Sequence, residues 1–136
     1  MPSDRVETVR RLADAVNRGD RKAAFARMAP DMVWNATGVL PGGKVHYNGR
    51  DEVWAFLRSL DESFEALSVD LESIEEVGKL VVARVHIHVT ERAGGAESDF
   101  NVSSVGRFAQ GKIARVENYL DHDEAMNDAE LRAAES

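Results

Sequence analysis

The chain has 136 residues and a mass of 15.0 kDa, with 43% hydrophobic side chains, 30% charged ones and no cysteine. That is one ordinary domain with a buried core, and it excludes a disordered acidic tail, a fibrous repeat, a disulfide framework and a thiolate metal site. Seventeen basic against twenty-four acidic residues leave a net charge of −7 without a dense Lys/Arg cluster, so no nucleic-acid partner is expected. No apolar run approaches 18 residues, which predicts no membrane span, no signal peptide and a cytoplasmic location.

Asp4 with Glu7 reads as a helix cap, and Val6, Val9, Leu12, Ala13 and Val16 recur at helical spacing until Gly19 stops the helix near Arg18. Asp20 caps a second short helix, with Phe25, Met28 and Ala29 as its apolar stripe before Pro30. Met32 to Ala36 predicts a strand. Thr37 to Asn48, with Pro41, Gly42 and Gly43, predicts a long connection of the kind that often covers a binding site. Asp51 is expected to cap a third helix whose apolar face is Val53, Phe56, Leu57, Leu60 and Phe64. From Leu67 the period changes to two. Val69 and Leu71, then Leu80 to Thr90, Phe100 to Phe108 and Ile113 to Leu120, separated by turns at Gly78-Lys79, Ala93-Gly94-Gly95 and Gln110-Gly111, predict an antiparallel meander. A terminal helix follows Asp121, with Ala125, Met126, Ala129 and Leu131. Helices first and strands last indicate an α+β domain with the helices across one face of a curved sheet.

Side-chain alternation then sorts the candidates. Phe100, Val102, Ser104, Gly106 and Phe108 should face the core, and Ala114, Val116, Asn118 and Leu120 share one side of the last strand. In the long strand, alternation buries Val81, Ala83, Val85, Ile87 and Val89 and turns His86 and His88 outward, given a loop of Ala93 to Ala96 with Arg92 opposite Glu97. The opposite assignment requires a bulge or an odd loop, with the valine row in a subunit interface. Periodicity leaves both open. His86-Ile87-His88 followed by Glu91 has a metal-ligand spacing. Its gap to the glutamate is shorter than in the cupin motif it resembles, and no later glycine-histidine follows, so no metal and no other cofactor is expected. Asn35 could orient a water or a carbonyl if inward, His46-Tyr47 could close over a ligand, and Asp121 beside His122 and Asp123 reads as a helix cap. No serine-nucleophile elbow or phosphate-binding glycine loop is present.

The element order, together with Met32-Val33-Trp34-Asn35 after an Ala-Pro-Asp, Gly49-Arg50-Asp51-Glu52-Val53 opening a helix, and Gly111-Lys112-Ile113 through Glu117-Asn118-Tyr119-Leu120-Asp121, resembles the nuclear transport factor 2-like (NTF2-like) superfamily in its SnoaL-like branch. The resemblance spans nearly the whole chain. It implies a single cone-shaped α+β domain over residues 1–136, with N-terminal helices packed on a curved, mainly antiparallel sheet around an apolar pocket. It also implies a homodimer joined through the outer sheet face. Its members include isomerases, cyclases, dehydratases, epoxide hydrolases and non-catalytic proteins. The position of the ketosteroid isomerase base is similar to Asn35 here, and that of its oxyanion-hole acid to Ser104. Where limonene epoxide hydrolases carry an Arg-x-Asp and a later aspartate, this chain has Arg84-Val85-His86 and Asn118. The resemblance places Arg84 and His86 inside the cone. His86 would then carry protons and Arg84 would stabilise negative charge, with Asn35, Asn118 and Ser104 orienting the substrate and Val33, Val116, Leu120, His46 and Tyr47 completing its site. The expected activity is a cofactor-independent isomerase, cyclase or dehydratase acting on a small, apolar, oxygenated metabolite. A non-catalytic binding or dimerisation module is the alternative, and an altered epoxide-hydrolase-like enzyme the second.

Overall fold

The computed structural model describes residues 4–36 and 46–135. Helix α1 (Asp4–Arg18) has Asp4 and Glu7 in its first turn and buries Leu12 and Ala15. It ends at Gly19, whose φ of +69° is the left-handed conformation that closes helices. The next helix, α2 (Arg21–Phe25), is capped by Asp20, whose Oδ1 accepts the Ala23 N–H at 3.1 Å. It is shorter than its stripe predicts, because Met28 and Ala29 belong to strand β1 (Met28–Asn35). The pairing of β1 is interrupted between Met28 and Val33. Pro30 falls in that irregular stretch, exposed, where its missing N–H leaves no ladder bond unmade.

A short edge strand, β2 (His46–Asn48), closes what the sequence presents as a continuous loop; residues 37–45 of that loop lie outside the described residues. Helix α3 (Gly49–Ser63) begins before Asp51, the expected cap. Asn48 stands at the cap without a side-chain bond, and the Glu52 carboxylate accepts the Asn48 N–H instead at 3.3 Å. Asp51 sits in the first turn and pairs with Arg21 at 2.9 Å.

Strands β3 (Ala66–Val77), β4 (Leu80–Thr90), β5 (Glu97–Ala109) and β6 (Lys112–Tyr119) form the expected meander, and the sheet order is β2-β1-β6-β5-β4-β3. Among the described residues only β1 with β6 is a parallel pair. The β4–β5 hairpin pairs Thr90 with Glu97 and Val85 with Val102, so its loop is residues 91–96 and the register lies two residues from the expected one. An even displacement leaves every side chain on its face.

Two faces result. The inner one, under α1 and α3, carries Val81, Ala83, Val85 and Ile87 of β4 beside Val102, Ser104 and Gly106 of β5. The outer one carries Leu80, Val82 and Val105, and these receive Ala125 and Ala129 of a terminal helix, α4 (His122–Glu135). The helices therefore do not all share one face, as the sequence suggested. The start of β4 is apolar on both sides, and α4 covers the side that α1 and α3 do not. Asp121 caps α4 as expected, its Oδ1 accepting the Asp123 N–H at 2.8 Å. No helix among the described residues is long and apolar enough to cross a membrane.

Candidate functional site

Between α1, α3 and the inner sheet face lies a cavity of about 190 Å³. The register explains its position. Ala83, Ser104 and Asn118 lie in one row across β4, β5 and β6, and Val81, Gly106 and Val116 in the next. Small side chains at Ala83, Ser104 and Gly106 stop short of the helices, so the space that a tighter core would fill stays open. A Cβ added at Gly106 would meet nothing closer than the Val81 carbonyl oxygen at 3.8 Å, so this glycine leaves room and is not forced by a close approach. Leu12 and Val16 of α1 and Phe56 and Leu57 of α3 form the roof. The half-buried Val69, Leu71, Val85 and Ile87, with exposed Asn17, mark the mouth.

The polar content of this cavity is small and uncharged. Ser104 Oγ donates to Asn118 Oδ1 at 2.8 Å. That bond fixes the amide and leaves Asn118 Nδ2 without a partner among the described residues, although Asn118 is only 8% exposed. Trp34 also lines the cavity, but its indole N–H is sealed from solvent and finds no acceptor among the described residues. No Asp, Glu, Lys, Arg or His is among the described lining residues.

Arg84 and His86 are not inside the cone. Both project from the outer face, as simple alternation requires when the valine row is buried. Arg84 Nε lies 3.9 Å from Glu72 Oε1. His86 Nδ1 and Nε2 face Asn101 Oδ1 at 3.0 Å and Asp99 Oδ1 at 2.9 Å, while His88 faces Asp99 Oδ1 at 2.7 Å and Glu97 Oε1 at 3.2 Å. Each ring nitrogen is thus opposed by an oxygen acceptor, the surroundings of a doubly protonated imidazolium. The bond to Asn101 and then that to Asp99 raise the His86 pKa above its ordinary value, those to Asp99 and Glu97 raise that of His88, and the two imidazoles hold the Asp99 carboxyl below its own. No group of His, Cys, Asp or Glu among the described residues has the arrangement of a metal site.

Asn35 also turns outward, because its neighbour Trp34 takes the inner position. It is 6% exposed, donates from Nδ2 to Glu117 Oε2 at 2.7 Å and meets His46 Nδ1 through Oδ1. Arg115 Nε donates to Glu117 Oε1 at 2.6 Å, so this group is a closed polar network on the sheet's outer side. Val33 shares that side, and Leu120 is 58% exposed, away from the cavity. Tyr47 stacks on Phe56 at 4.2 Å between ring centroids, behind the roof and not at the cavity. Of the residues expected at the site, Val116, Asn118 and Ser104 line the cavity. Trp34, Phe56, Ala83 and Gly106 line it as well and were not anticipated; the signal that could have found the last two is the run of small side chains on the inner parity of neighbouring strands.

The sequence pattern of the SnoaL-like domain matches residues 9–116. The chain belongs to the SnoaL-like family. Solved structures agree on the fold of this SnoaL-like protein. One is a nuclear transport factor 2-like protein of unknown function from Burkholderia pseudomallei K96243, with 27% identity, 93% of this chain and 97% of that one covered, and a TM-score of 0.75. A putative SnoaL-like polyketide cyclase from Jannaschia sp. CCS1 gives 21% identity, coverage of 93% and 92%, and a TM-score of 0.74. TerC, co-crystallised with polyporic acid, gives 18% identity, coverage of 94% and 99%, and a TM-score of 0.75. No protein of curated function matches the chain. The SnoaL-like assignment and the curved, mainly antiparallel α+β architecture are those expected from the sequence.

Proposed function

We propose that this SnoaL-like protein binds a small, apolar, uncharged molecule in the cavity beneath α1 and α3. One observation carries the proposal: a hollow of about 190 Å³ whose described lining residues are aliphatic and aromatic apart from Ser104, Asn118 and Asn17. Removing apolar ligand surface from water is favourable by roughly 25 cal/mol per Å², and an apolar cavity of this order of size accepts a small aromatic hydrocarbon. The family's fold includes polyketide cyclases and ketosteroid isomerases, but proton transfer needs a titratable group within hydrogen-bond reach of the substrate. With Arg84 and His86 on the opposite face, the described cavity offers none, and it offers no carboxylate for an epoxide-hydrolase route. Binding, the alternative weighed at the sequence level, is the function the geometry supports best.

Titration with indane, followed through the methyl resonances of Val85, Val102 and Val116, tests it. Saturable shifts at these methyls are expected, and Gly106→Val, whose branched side chain grows into the cavity floor, should abolish them while the protein stays folded. Methyls that do not respond in the wild type, or an indane response undiminished in folded Gly106→Val, would remove the proposal.

A further inference from the structure

The tip of the β4–β5 hairpin is tied to the cavity roof. Arg92, in the loop of residues 91–96, donates from Nε at 3.1 Å and from Nη2 at 2.9 Å to the carbonyl oxygen of Glu62, in the last turn of α3. Such carbonyls have no partner within their own helix, and a cation suits that end of it. Just past the helix, the Glu65 N–H donates to the Thr90 carbonyl at 2.9 Å. The same turn of α3 carries Leu60, which lines the cavity. Resting on the binding function proposed above, we infer that this hairpin tip is a proton-dependent latch on the cavity: with His86 and His88 protonated it holds the end of α3 closed over the mouth, and with them neutral it lets the ligand exchange.

The geometry of the two rings makes the latch sensitive to protons. All four ring nitrogens face oxygens that only accept, His86 those of Asn101 and Asp99, His88 those of Asp99 and Glu97. A neutral imidazole has a single N–H, so each deprotonation sets a bare nitrogen against an acceptor and breaks one tie between β4 and β5. These ties lie close to the tip, since Thr90 and Glu97 are the last pair before the loop. Both side chains are about one-third exposed, 34% and 33%, so their protons equilibrate with solvent. Around them, β3 places Asp70 opposite His86 and Ser68 opposite His88, Glu72 lies near Arg84, and β5 supplies Glu97 and Asp99. From α4, His122 reaches Ser103 Oγ at 2.7 Å, one step from Asn101 on the same side of β5. The bonds to Asn101, Asp99 and Glu97 place the titration of both rings above the ordinary 6.5. The strand carries the effect inward. Val85 and Ile87 alternate with the histidines and stand at the mouth, and Ile87 and Leu60 pack against the same cluster of Ala36, Phe56 and Val102. A tip that loosens outside therefore loosens the mouth and slackens Arg92 on the roof.

Two measurements from about pH 6 to about pH 9 test this, one without ligand and one with indane. In the free protein, hydrogen exchange of the Glu65 and Glu91 amides, taken relative to their intrinsic rates at each pH, should lose protection about tenfold, the equivalent of one or two net hydrogen bonds. With indane, relaxation dispersion of the Val102 and Val116 methyls should show dissociation accelerating by about the same factor across that range. His86→Gln/His88→Gln should hold both quantities within about twofold. Arg92→Ala should release indane quickly at either pH, while Glu91 protection still follows pH. A wild-type dissociation rate indifferent to pH, a pH dependence that survives the histidine variant, or wild-type behaviour of indane in Arg92→Ala would overturn the latch and leave the cavity's binding function standing. Indane that never reaches the Val102 and Val116 methyls would overturn both together.

Discussion

Two histidines one residue apart on β4 owe their behaviour to what stands across the strand from them. His86 and His88 share the Asp99 carboxylate, and their pKa values are raised while that of Asp99 is lowered. A group whose pKa rises on folding stabilises the fold fully below its unfolded value, 6.5 here, and loses that contribution as pH climbs through the raised folded value. Asp99 contributes above its unfolded 3.8 and loses its share as pH falls through the depressed folded value. The cluster therefore supports the fold best between about pH 4 and 6.5. Urea midpoints measured from pH 5 to 9 should drift downward above pH 6.5 in the wild type, and the drift should flatten in His86→Gln/His88→Gln; an identical slope in both proteins would contradict this. Inside the cavity the sign of a titratable group is the reverse of helpful. Asn118→Asp places a carboxyl where Asn118 is 8% exposed, and desolvation will raise its pKa above the unfolded value. The variant should match the wild type near pH 4 and be less stable at pH 7 by roughly 1–3 kcal/mol in chemical denaturation.

At the level of elements, the turn between β3 and β4 ties the sheet to α4. Gly78 has a φ of +60°, and a Cβ there would lie 2.9 Å from the Ala133 Cβ on α4. Gly78→Ala meets both a left-handed backbone and a steric block, and a loss of about 1–3 kcal/mol in unfolding free energy is expected. Phe56 of α3, 3% exposed and stacked on Tyr47, supports the cavity roof; Phe56→Ala should cost about 3–5 kcal/mol by the same measurement. These elements were legible in the sequence to different degrees. Periods of 3.6 and 2 found α1, α3, β4, β5 and β6, since each hides one continuous apolar row. Met28 and Ala29 read as helix in the sequence because a short apolar run has no period of its own, and only pairing with β6 makes it a strand. His46–Asn48 was hidden for a related reason: three residues at a sheet edge carry no pattern. The site was harder to see than the fold. Alternation placed His86 outside, and the family resemblance placed it inside; burial of the valine row, a property of the whole sheet, decided for alternation.

Across the whole molecule, the inner hollow and the seat of α4 lie on opposite sides of one sheet. A ligand that binds only the folded chain raises its stability by about 2.7 kcal/mol at a hundred times its dissociation constant, so the melting temperature should rise progressively with indane in the wild type and stay flat in Gly106→Val. Truncation after Leu120 would expose Leu80, Val82 and Val105, which are 3%, 1% and 1% accessible under α4, and should yield an aggregating or unfolded chain in size-exclusion chromatography. The alternation of β4 has a further consequence. Val81 and Ala83 look toward the hollow, whereas Leu80 and Val82, their immediate neighbours, grip α4. The strand is thus divided residue by residue into two separately adjustable surfaces. Mutational drift, or a combinatorial library, confined to every second position can reshape the chamber for a new guest while the clamp on the opposite side goes unaltered.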